Sequence, residues 1–209
     1  MNMKTFKSVA YALSAFVLVA LLATGCSRFD APTASQPTSE PTMGLWTPNP
    51  GDQIIPGHDV PILEEGYWES LGYAGTSVEG GFFIPPRTMR IGPEGGTVRL
   101  GPHELIVPPG AVTDFVNISM SFASPNAVAA DCSPSPFTFS VPVTLILSYD
   151  GTQYDGGWDG DGGGTSEPPP LEIIYMATDG SLEALDSEVD VENLTVSAQT
   201  DHFSRYIIG

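Results

Sequence analysis

The chain predicts an all-β protein, a single antiparallel β-sandwich that follows an export leader and a tether. Three observations carry that fold class. Apolar residues alternate at period two in NISMSF (Ile118, Met120, Phe122), VTLILSY (Val143, Leu145, Leu147, Tyr149), LEIIY (Leu171, Ile173, Tyr175) and NLTVSA (Leu194, Val196, Ala198), the pattern of strands with one buried face. Gly, Pro, Asp and Asn punctuate the gaps, as tight connections between strands require. Beyond residue 25 no segment of ten residues or more carries a helical apolar period. About 120 residues of short strands are enough to close two sheets over one core.

The N-terminal element is a leader. Lys4 and Lys7 precede an uncharged, largely apolar run from Val9 to Ala23, followed by small residues and Cys26, the layout of a secretory signal. The 15 residues of that run are fewer than the roughly 20 a membrane-spanning helix needs. Leu22-Ala23-Thr24-Gly25-Cys26 resembles a bacterial lipoprotein signal, which implies removal of residues 1–25 and lipid on Cys26. The expected location is therefore exported and lipid-anchored at the cell envelope. By analogy with lipoprotein sorting, Ser27 after the cysteine points to the outer membrane.

Loss of the leader removes both lysines. Five arginines (Arg28, Arg87, Arg90, Arg99, Arg205) then face 25 acids, a net charge of −20. Such a surface repels phosphate backbones, so nucleic acid is excluded as a partner. With Cys26 lipidated, Cys132 in DCSPSP has no cysteine to pair with and the fold is not disulfide-stapled. Beside Asp131 that thiol lacks the electropositive setting a nucleophile needs, which points to a structural role.

Residues 26–43, SRFDAPTASQPTSEPT and its flanks, are Pro-, Ser- and Thr-rich. They bury too little apolar surface to order themselves and read as the tether. Residues 44–86 form an irregular arm carrying Trp46, Tyr67, Trp68, Tyr73, Phe82 and Phe83. Packing of these aromatics on the following domain is favoured over a sticky partner surface, because exposed aromatic patches are uncommon.

The sandwich spans 87–209. GGTVRL and HELIVP supply its early strands, and the stretch Gly92-Pro93-Glu94-Gly95-Gly96-Thr97-Val98, followed by Leu105-Ile106-Val107-Pro108-Pro109-Gly110-Ala111-Val112 and Val116-Asn117-Ile118-Ser119-Met120, resembles the ZU5 domain. The likeness is strongest over 91–122 and returns in the closing SEVDVENLTVSAQTDHFSRY. It implies a ZU5-like β-sandwich that binds other proteins and performs no metabolic chemistry. The glycines permit a turn or bulge that a side chain would block, and Pro108-Pro109 ends a strand.

Residues 150–170, DGTQYDGGWDGDGGGTSEPPP, form a lengthened Gly/Asp loop. Asp155, Asp159 and Asp161 are hard oxygen ligands that calcium could use, and they make a calcium- or glycan-dependent adhesion module a further alternative. Their spacing departs from the D-x-[DN]-x-[DN]-G loop, which favours a solvated acidic loop. Elsewhere no GK[ST] follows a glycine-rich run, and Gly75-Thr76-Ser77-Val78-Glu79 misses the nucleophile elbow at its last position. His58, His103 and His202 lack paired metal-ligand spacing, and His103, ahead of Glu104, is expected at the surface. No cofactor and no catalytic residue are expected.

The last element, TDHFSRYIIG, holds His202-Phe203-Ser204. The family resemblance implies an alternative, since some vertebrate relatives cut themselves between Phe and Ser of such a triplet. His202 would take the Ser204 proton, Ser204 would attack the Phe203 carbonyl, and water would resolve the ester. The favoured expectation is plainer. Phe203 is a core side chain, His202 and Ser204 turn the chain, and Tyr206 and Ile208 continue into the final strand. The function expected is a membrane-anchored, non-catalytic binding or structural module whose protein or envelope partner the sequence does not specify.

Overall fold

The structure, a computed structural model, describes residues 46–49, 51–73, 84–155 and 170–209, which belong to the compact unit Pro41–Gly209. The leader, Cys26, the tether, Phe82, Phe83, Asp159 and Asp161 lie outside the described residues. In chain order the elements are β1 (Gln53–Ile55), β2 (His58–Asp59), the single helical turn α1 (Tyr67–Ser70), β3 (Arg87–Ile91), β4 (Gly96–Leu100), β5 (His103–Val107), β6 (Val116–Phe122), β7 (Ala129–Ser133), β8 (Thr138–Ser148), β9 (Ile173–Met176), β10 (Leu182–Ala184), β11 (Ser187–Asp190), β12 (Thr195–His202) and β13 (Arg205–Ile208). Among the described residues no helix is long and apolar enough to cross a membrane.

Two antiparallel sheets pack face to face as an all-β sandwich. One runs β10-β9-β13-β7-β6-β3 and the other β11-β12-β8-β5-β4. Alternation in the sequence sets their facing surfaces. In β6, Ile118, Met120 and Phe122 point inward while Asn117, Ser119 and Ser121 point away, and β8 presents Val143, Leu145 and Leu147 in the same manner. With Val98, Leu105, Val196, Ile173 and Tyr206 they build one core, each large aliphatic side chain contributing about 1.5–3 kcal/mol by leaving water. Pro142 cannot donate to a ladder, and the β12–β8 register slips there, jumping from Thr200↔Val143 to His202↔Thr138.

The glycine stretch 92–98 and the proline stretch 105–112 meet in space. Gly95 has a φ of +77°, and a Cβ on it would lie 2.3 Å from the Val107 carbonyl oxygen and 2.8 Å from the Pro108 carbonyl carbon. The Gly110 amide returns the contact by donating to the Pro93 carbonyl at 2.8 Å. Glycine is therefore required at 95 both for its backbone angle and for the close approach.

The arm is part of the packing. Tyr67 and Trp68 are buried, and Trp68 lies 4.1 Å from Phe122 between ring centroids and donates its indole N–H to the Pro125 carbonyl at 3.1 Å. Trp46 and Ile54, with Met176, pack on Ala123, Ala129 and Ile207. This second covering explains a departure from the period-two expectation at LEIIY. Ile173 and Ile174 are both fully buried, because the sheet has apolar neighbours on both faces there. β7 escapes sequence detection for the same reason: AADCS uses small residues on both sides and shows no alternation.

His103 corrects the expectation of a surface residue. Its ring is 1 % exposed, set against Trp68 and Phe122 at 6.1 and 5.5 Å. Its Nδ1 accepts the Ser148 amide at 3.1 Å, while Nε2 is buried without a partner. Burial pushes its pKa down to about 3, since the imidazolium has nowhere to be solvated. The position next to Glu104 concealed this, because β5 turns alternate residues to opposite faces and His103 takes the inner one.

Candidate functional site at the corner between the sheets

His202, Phe203 and Ser204 form the corner where the chain leaves one sheet and enters the other. β12 ends at His202 in the five-stranded sheet, and β13 begins at Arg205 in the six-stranded one. Two residues make the crossing, so their groups must replace the ladder bonds lost there. The Phe203 amide donates to the Phe137 carbonyl at 3.1 Å, and the Ser204 carbonyl accepts the Cys132 amide at 2.9 Å. The Phe203 ring is 1 % exposed and stands edge-on to Phe139, with centroids 4.7 Å apart.

Polar side chains complete the corner. The Ser204 hydroxyl donates to the Met176 carbonyl at 2.5 Å, and the Ser135 hydroxyl donates to the Phe203 carbonyl at 2.8 Å. The hydroxyls of Thr200 and Tyr206 converge on the His202 carbonyl and lie 3.0 Å from each other. Tyr206 thus reaches back four residues, much as tyrosine corners do in Greek-key sandwiches. Its hydroxyl pKa is raised, first by burial. The His202 Nδ1 faces the Asp201 carboxylate at 2.7 Å, and its ring stands perpendicular to Tyr175 at 4.2 Å.

Immediately beyond the corner, Arg205 is 4 % exposed and grips Asp131 as a two-pronged fork, Nε to Oδ1 at 2.7 Å and Nη2 to Oδ2 at 2.8 Å. Sequence reasoning found neither this pair nor the Tyr206 contact. The partners 131 and 205 are 74 positions apart, and only the β13–β7 register, which sets Arg205 opposite Asp131, brings them together. Cys132 is buried beside them, its pKa raised by desolvation and then by Asp131.

For bond cleavage, the Ser204 hydroxyl would have to turn from Met176 toward the Phe203 carbonyl and release its proton to His202. Ser135 already supplies a donor to that carbonyl oxygen, the position where charge would develop. The backbone at the corner carries no positive φ; among the described non-glycine residues only Leu194 does, at 53°. The corner therefore stores none of the left-handed strain that active sites often hold.

The remaining candidates are dispersed. The Asp155 carboxylate accepts the Gly151 amide at 2.8 Å, close to Asp150, which the Tyr67 hydroxyl meets at 3.2 Å. Burial, then Asp150, raises the Tyr67 pKa. Among the described residues no group of three or more His, Cys, Asp or Glu is placed to hold a metal ion. His58 lies apart from the other histidines, its Nε2 3.5 Å from Glu172. No protein-family model matches the chain, and no curated protein matches it.

Proposed function

We propose that the chain is an exported lipoprotein, anchored through Cys26 at the cell envelope, whose ZU5-like sandwich acts without turnover as a binding or structural module. The observation that carries the non-catalytic part is the use of the corner's polar groups. The Ser204 hydroxyl is engaged by the Met176 carbonyl, the His202 ring by its neighbour Asp201, and the His202 carbonyl accepts Tyr206 from the other sheet, while Phe203 is core. The anchor rests on Leu22-Ala23-Thr24-Gly25-Cys26 and the Pro/Ser/Thr stretch after it. The family likeness is supported by the contact of Gly95 with Val107 and Pro108.

The test is the intact mass of the chain isolated from its membrane and denatured before measurement. An acylated N-terminal Cys26 and a C-terminus at Gly209 are expected. A mass without lipid defeats the anchor and leaves the module standing.

One observation favours a second reading, self-cleavage between Phe203 and Ser204. The Ser135 hydroxyl donates to the carbonyl that would be attacked. The same measurement separates the two. A species ending at Phe203 establishes cleavage, with Ser204–Gly209 held by β9 and β7 until denaturation.

A further inference from the structure

Among the described residues of this acidic chain the exposed arginines are gathered on one side of the sandwich. Among the described residues the only arginines are Arg87, Arg90, Arg99 and Arg205, and there is no lysine. Arg205 is buried. The other three stand on β3 and β4, the edge strands of the two sheets on the same side. Arg99 meets Glu104 at 2.6 Å. Arg87 and Arg90 form no ion pair among the described residues, and Arg90 stacks on Phe115 at 4.3 Å. Met89 and Phe115, 46 % and 57 % exposed, add apolar surface to this edge.

The opposite side has the opposite character. β10 and β11 are the other two edge strands, and the stretch from 179 to 192 carries Asp179, Glu183, Asp186, Glu188, Asp190 and Glu192 without a base. β3 and β10 each leave one side of their backbone unpaired among the described strands. Such edges are templates for another strand.

We propose that these edges recognise each other between copies: β3 of one molecule adds to β10 of the next and continues the six-stranded sheet head to tail. Strand direction agrees. The sheet has six strands and every neighbouring pair in it is antiparallel, so its first and last strands run in opposite senses and join as a further antiparallel pair. Facing agrees as well. Arg87 and Met89 pair with the inward-pointing Met120 and Ile118, while Glu183 pairs with Tyr175, which sits opposite the core residue Tyr206. Arg87, Met89 and Glu183 therefore share one face of the extended sheet. Opposite charges on neighbouring strands of one face attract.

Charge also selects against the symmetric pairings. Two β3 edges oppose arginines and two β10 edges oppose carboxylates, which leaves the mixed pair as the unrepelled one. A head-to-tail contact uses different surfaces on each molecule and does not close on itself, so it builds rows. This deepens the reading of the sandwich as a structural module by naming a second copy as its partner, and it does not depend on the lipid.

The test uses the full chain in isolated envelopes, carrying Thr88→Cys and Ala184→Cys, both on the outer face of the sheet. The probe is a short bis-maleimide that tolerates a two-residue slip in register. The doubly substituted chain is expected to give a ladder of multimers on denaturing gels, and each single variant none. Adding Arg87→Glu and Arg90→Glu is expected to abolish the ladder, and adding Glu183→Arg and Asp186→Arg to that chain to restore it. Circular dichroism confirms that every variant is folded. Dimers from Thr88→Cys alone, adducts only with another protein, or no multimers from the folded double variant would each overturn the proposal. Absence of lipid on Cys26 leaves this outcome unaffected, so failure of the anchor and failure of the assembly are distinguishable.

Discussion

Replacing Asp131 by Ala measures how firmly the final strand is held after the corner. The substitution removes both prongs of the Arg205 fork, 2.7 and 2.8 Å, and leaves a guanidinium whose side chain is 4 % exposed. Breaking one partner of a fully buried pair costs about 3–5 kcal/mol, because the remaining charge has lost its water and its counterion. The Asp131 side chain is 28 % exposed, so water re-enters from that side and the expected loss is nearer ~2–3 kcal/mol. With a urea m-value of about 2 kcal/mol/M, the unfolding midpoint falls by about 1–1.5 M. The assay is urea unfolding at neutral pH followed by circular dichroism, with unchanged slope. Replacing the pair together, Asp131→Leu with Arg205→Met, is expected to recover most of the loss, since a packed apolar pair needs no solvation. A midpoint shift below about 0.3 M for Asp131→Ala, or a double variant no more stable than the single, refutes the assignment.

Gly95→Ala forces a left-handed backbone angle on a residue with a Cβ and drives that atom into Val107 and Pro108; a loss of at least about 2 kcal/mol is expected in the same unfolding assay. Trp68→Ala empties the space beside Phe122 and His103 and is expected to cost about 3–5 kcal/mol, with faster amide exchange across α1. His103 makes stability pH-dependent. Its folded pKa of about 3 lies below the ordinary 6.5, so between these values the unfolded chain binds the extra proton and stability falls as pH falls. The slope it contributes approaches about 1.4 kcal/mol per pH unit within that window and vanishes above it. His103→Asn, compared with the parent from pH 7 to 4, is expected to flatten the profile; identical profiles would show that His103 is solvated.

The corner shows how far a sequence can be read. That Phe203 is core and that Tyr206 and Ile208 continue into the last strand follow from local alternation, and both are visible in HFSRYII. That the crossing joins two different sheets does not, because DHFSRY reads identically whether the chain bends within one sheet or passes between two. β7 and Ile174 were illegible for a related reason. The two-residue period reports one buried face, and it disappears where the arm covers the other face as well.

The sequence by itself determined the all-β class, the turn glycines and the charge, since each depends on a few consecutive residues or on composition. The tertiary structure decided the burial of His103, the meeting of Gly95 with Val107 and Pro108, the Arg205–Asp131 fork and the separation of charge between opposite edges. Those depend on which strands become neighbours. Pairing across tens of residues follows from closing one core between two sheets, and no local window of the chain contains that constraint.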